Sequence, residues 1–380
     1  MVAPAGNMYA QSKKDKIVMP EYPGGQGALH KFLLKELRYP TEARINNEIG
    51  EVLVLAARTP ADIMARLRDY GVLAPIATGS ADHPADVTGK ATPDTLPTPT
   101  EREAALTALL RTAYRETEEA LPDPALVRYL RYPYDATNLK IAMKCLVRGI
   151  SPAGMLGDLG TVPPEEIPTL IAGDSVATGR AAEALPSAMA AAIPAARAAY
   201  NETGDPRLLD AILDKACFAD MLAAATAAGE PTPLDWLRAR IDLINCLSTV
   251  RLLRMKRGPA GTAFLAASLI PGGTLPLSLF EEGMVAGEET FLASLRGTRY
   301  APLCDVEGEP PALRDLERTA DDCLMALIKP AARLPFGAPV AVGFLYGWET
   351  AVKNLRILLA AHAAGWDAAA IRERSRLSYV

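Results

Sequence analysis

From Glu101 onward, apolar residues recur at three- and four-residue steps, the period of a helix with one buried face. The pattern predicts helices over 101–120, 122–149, 178–200, 205–229, 232–257, 311–329 and 338–365. Proline and glycine mark the stretches between them, so 150–167, 258–285, 301–311 and 330–337 read as loops. Thr59 opens an earlier helix. It is an N-cap, with Pro60 at the first helical position and Asp62 in the first turn. Ile63, Leu67 and Tyr70 follow at helical spacing, and Gly71 stops the run. Residues 75–100 form a long loop rich in Pro, Thr and Gly. The segment before Thr59 is different. A turn-rich opening with Pro20, Pro23, Gly24 and Gly25 leads to a short helix, Ala28 to Leu37, ended by Tyr39-Pro40. A strand starts at Glu51. Strands and helices do not alternate, which argues against a doubly wound sheet.

Three of the long helices share a polar signature. The first carries Asp135, Asn138 and Lys140 and closes at Gly149. The second carries Asp242, Asn245 and Arg251 and closes at Gly258. The third carries Glu349, Lys353, Asn354 and Arg356 and closes at Gly365. The copies lie roughly 105 residues apart, with a slip of about two residues in spacing. Such groups on a mostly apolar helix are expensive unless they pair or bond backbone. Two readings follow: the polar sets fix helix register, or some of them line a surface that grips a partner.

Composition narrows the function classes. Of 380 residues, 49% are hydrophobic and 22% charged, enough for a sizeable core and too apolar for a disordered chain. A net charge of −5 gives no overall basic field for nucleic acid. Alanine is abundant and aromatics are 6%, which favours packed helices. Cys145, Cys217, Cys246, Cys304 and Cys323 are far apart and read as free thiols. His30, His83 and His362 are scattered. Val340 to Ala364 is the most apolar stretch, yet Glu349, Lys353 and Arg356 interrupt it, so a soluble chain is expected. Gly24-Gly25-Gln26-Gly27 lacks the frame of a phosphate-binding loop and reads as a turn. Asp210, Asp214 and Asp220 read as a solvated or salt-bridged face, as does Asp321-Asp322. No nucleophile–base pair is evident. No catalytic, cofactor-binding or metal-binding residue is expected.

Four segments carry a family likeness: 131–149, 160–171, 203–222 and 336–380. With them the chain from about Thr59 to Val380 resembles the C subunit of V/A-type ATPases, the relative of the eukaryotic d subunit. The resemblance implies an all-α fold of three similar multi-helix domains arranged as a funnel, over 55–150, 151–258 and 259–380. It implies a non-catalytic central-stalk subunit, cytoplasmic and peripheral to the membrane. Its partners would be the rotor shaft subunits and the membrane proteolipid ring, and it would pass torque for proton or sodium transport. Residues 19–54 instead resemble the C-terminal domain of TonB, through Pro-Glu-Tyr-Pro-Gly-Gly, Tyr-Pro-x-x-Ala and Gly-Glu-Val-Leu-Val. This makes 1–54 a short non-family segment fused to the helical body. The alternatives are a helical scaffold or binding protein, and a TonB-like energy-transducing protein.

Overall fold

Capping chemistry sets the first of the described helices. The computed structural model describes residues 98–172, 184–255 and 258–379, all within a unit running from Ile45 to Val380. Thr98 accepts from the Glu101 backbone N–H at 3.2 Å, and the Glu101 carboxylate accepts from the Thr98 N–H at 2.7 Å. This reciprocal box opens α1 (Pro99–Ala120). The helix predicted at Thr59, the strand at Glu51, the TonB-like 19–54 segment and nearly all of the 75–100 loop lie outside the described residues.

A short helix α2 (Ala125–Arg128) and a 3-10 turn lead into α3 (Tyr132–Arg148). Then come α4 (Ile167–Ala172), α5 (Ser187–Thr203), α6 (Pro206–Ala228) and α7 (Pro231–Arg254). The rest is α8 (Gly258–Ser268), α9 (Leu277–Ala286), α10 (Glu288–Ser294), α11 (Leu313–Ile328), α12 (Ala338–Ala363) and α13 (Ala368–Arg374). No strand occurs among the described residues, so they are all-α. α5 packs on α6, α6 on α3, α7 on α11 and α12 on α1. Their buried faces merge into one core, with Trp236 of α7 meeting Tyr346 of α12 edge-on at 5.0 Å.

Helix ends follow local chemistry. Gly149 stops α3 at φ +65°, a left-handed conformation that suits glycine. Pro186 at the head of α5 has no side chain to cap it. Asp220 of α6 reaches across instead and accepts from the Ala188 and Met189 N–H groups at 2.9 and 2.8 Å.

The structure corrects the sequence pattern: 122–149, which reads as one helix, is α2, a 3-10 turn and α3, and α10 was not expected. The stretch 258–285, which reads as a loop, holds α8 and most of α9. Its glycines and prolines mask an Ala and Leu pattern, and short helices packed on a core tolerate them. Gly283 sits inside α9 because the Phe291 ring lies where a Cβ would be. The second long helix ends at Arg254, not at Gly258, which opens α8.

Candidate functional site

α3 buries Asp135 and Asn138 on one face, 0% and 2% exposed. The Asn138 amide holds a single residue by both backbone groups. Its Nδ2 donates to the Gly157 carbonyl at 2.8 Å, and its Oδ1 accepts from the Gly157 N–H at 2.9 Å. One helical turn earlier, Asp135 binds the same loop. It accepts from the Thr161 N–H at 2.9 Å, the Thr161 hydroxyl at 2.8 Å and the Val162 N–H at 3.0 Å. These bonds offset the cost of a buried carboxylate. Burial still raises the Asp135 pKa above its usual value, while the Thr161 and Val162 bonds pull it down.

α7 repeats the device. Asn245 bonds the Ile270 carbonyl at 2.8 Å and its N–H at 3.0 Å. Asp242 accepts from the Thr274 N–H at 2.8 Å and the Leu275 N–H at 3.1 Å. Tyr300 adds a hydroxyl at 2.6 Å. Burial, then the bond to Asp242, raises the Tyr300 pKa. The clamped loops are Gly160-Thr161-Val162-Pro163 and Gly273-Thr274-Leu275-Pro276, the same motif in the same register. A Cβ on either glycine would collide with the Asp135 or Asp242 carboxylate, so the close approach requires glycine.

α12 keeps half of it. Asn354 bonds the Arg376 carbonyl at 3.0 Å and its N–H at 2.8 Å. Three residues before it stands Ala351, where the other copies have aspartate. Glu349, grouped with the two aspartates on sequence, therefore belongs to a different site. It accepts from Tyr114 at 2.6 Å and Tyr134 at 3.1 Å, which joins α12 to α1 and α3. The slip in the repeat spacing has this cause. Burial, then Glu349, raises the pKa of both tyrosines.

Arg240 of α7 stands near Glu349 with its guanidinium 5.6 Å from the Trp236 ring centroid. Burial lowers its pKa, but Glu349, Tyr346 and Tyr114 raise it on balance. Arg240, Glu349, Asp321 and Lys353 line a cavity of about 230 Å³ between α7, α11 and α12.

The basic residues of the repeat pair across helices. Lys140 meets Asp214, Arg251 meets Glu317 at 2.7 Å, Lys353 meets Asp321 at 2.9 Å, and Arg356 meets Glu103. Lys144 adds a bond to Asp210 at 2.7 Å. Half-exposed pairs of this kind contribute about 0–1 kcal/mol each. Sequence reasoning missed Tyr114, Tyr134, Arg240, Tyr300 and the capping role of Asp220. The repeated Gly-Thr-Val/Leu-Pro motif was the readable signal for the clamped loops.

Among the described residues no group of three His, Cys, Asp or Glu could hold a metal ion. None of their helices is long and apolar enough to cross a membrane. The arrangement holds backbone in place, with helices as the frame and amide or carboxylate side chains as clamps.

Comparison with known proteins gives these residues a context. The profile of the ATP synthase (C/AC39) subunit family matches residues 89–374. The C subunit of the V-type sodium ATPase of Enterococcus hirae is 25% identical over 267 residues, covering 69% of this chain and 78% of that protein. The C subunit of the V-type ATP synthase of Thermus thermophilus is 27% identical over 164 residues, 43% of this chain and 48% of that protein.

Proposed function

Because the chain belongs to the ATP synthase (C/AC39) subunit family, we propose that it works as the central-stalk adaptor of a V-type ATP synthase or ATPase. In this reading it is an accessory subunit that does no chemistry. It seats the rotor shaft on the membrane proteolipid ring, at the cytoplasmic face, and passes torque between them.

The observation that carries the reading is the set of clamps. A torque-bearing part must not let its loops yield under load. Asn138, Asn245 and Asn354 each fix one residue through both backbone groups. Asp135 and Asp242 fix the next turn of two of those loops. Each clamp ties a long helix to the segment that follows it. The first two thereby join neighbouring members of the proposed series 55–150, 151–258 and 259–380. Fully satisfied buried polar networks rigidify a fold in this way. Burial pushes Cys217 up to about 12 and Cys323 to about 11, which keeps these two thiols protonated and weakly nucleophilic.

The test is native mass spectrometry of the chain mixed with shaft subunits from the same organism, with residues 1–54 present and deleted. A 1:1 adduct from both forms is the expected result. A folded chain that gives no adduct in either form would shift the reading to a helical scaffold.

A further inference from the structure

A second cleft, of about 200 Å³, lies between α11, α12 and α13. Its lining holds Arg314, Arg318, Arg374 and Arg376 against one carboxylate, Asp315, with Trp366 beside them. Arg376 is already answered, because its Nε donates to Asp321 at 3.1 Å. Arg314 stands 3.6 Å from Asp315. Arg374 lies over the Trp366 ring, 3.8 Å from its centroid. The Arg318 Nε is buried and has no hydrogen-bond partner. The carboxylate that feels Arg318, Asp322, accepts from the Leu377 N–H at 2.6 Å. The cleft therefore carries excess positive charge, an arrangement that costs stability until an anion fills it.

Guanidinium forks match the oxygens of phosphate, and a phosphoryl group brings up to two charges where a carboxylate brings one. The volume suits one small anion better than a folded segment. We propose that this cleft binds a phosphoryl group, held by Arg318 and Arg374. The group could be carried by a soluble phosphate compound or by a lipid headgroup; the shared chemistry is the same. The site adjoins the third clamp, since Asn354 holds the backbone of Arg376, but it does not depend on the adaptor reading.

Titration calorimetry of the full chain with pyrophosphate, at constant ionic strength, tests it. Expected is saturable 1:1 binding, weakened about tenfold or more in Arg318→Gln and in Arg374→Gln. Arg111→Gln, which loses only an exposed pair with Asp158, should bind as the parent does. Arg374 is only partly buried, so Arg374→Gln keeps the test valid if Arg318→Gln fails to fold. A change in emission on binding that Trp366→Phe abolishes would locate the ligand. Sedimentation with phosphatidic acid vesicles, against phosphatidylcholine alone, identifies a lipid source. Failure of both pyrophosphate and phosphatidic acid to bind, or binding undiminished in both arginine variants, would overturn the proposal.

Discussion

Single side chains decide most of the polar accounting in this molecule. Asn245 holds Ile270 where both partners are buried, while Asn138 holds Gly157 at a partly exposed position. Asn245→Ala orphans one donor and one acceptor away from water, at a cost of about 2–5 kcal/mol. Asn138→Ala leaves groups that water can reach and should cost less. Urea unfolding of the two variants gives the order directly, and equal losses would mean that the clamps do not depend on burial. The thiols make a prediction in pH. Burial raises the Cys217 pKa from 9.0 to about 12, and burial raises those of Tyr114 and Tyr134 too. Between these limits the unfolded chain gives up protons that the folded chain keeps. Stability is therefore fully present below about 9 and falls as pH climbs toward 12. Unfolding midpoints at about pH 8 and about pH 11 should show the fall, and Cys217→Ala should lessen it, the tyrosines keeping the rest. A midpoint that does not move would contradict the assigned burial.

At the scale of elements, the clamped loops depend on glycines for reasons that differ by position. Gly273 lies against the Asp242 carboxylate, so Gly273→Ala must push the loop off α7 and should cost about 1–3 kcal/mol. Gly157 has open space around its Cβ position, so Gly157→Ala should be neutral or mildly stabilising. Thermal melts of the pair separate a packing requirement from general loop flexibility, and similar melts would argue against the close approach. The same region shows what periodicity can reveal. The long helices were legible because Leu, Ala and Ile recur at helical steps over many turns. Asp135 and Asn138 were legible as a pair because three residues apart share a face. Their partners were not, since a loop residue such as Gly157 or Thr161 carries no period. Glu349 matches the repeat by acid type alone, while its contacts are with Tyr114 and Tyr134, far away in sequence. α8 and α9 were hidden by glycine and proline whose cost is offset by packing.

For the whole molecule, the account rests on family membership and on a body whose long helices are pinned to the segments that follow them. Charge pairs such as Arg356–Glu103, which join α12 to α1, would orient and brace such a body more than stabilise it. An adaptor must hold two partners at once, which a scaffold that binds one protein would not do. The most direct measurement is therefore a bridging experiment. A tagged shaft protein is used to capture detergent-solubilised proteolipid ring from the same organism, with and without this chain. The account predicts that the ring is recovered with the shaft only when the chain is added, at one chain per shaft. Recovery of equal ring without the chain, or a chain that binds the shaft and never brings the ring with it, would contradict it.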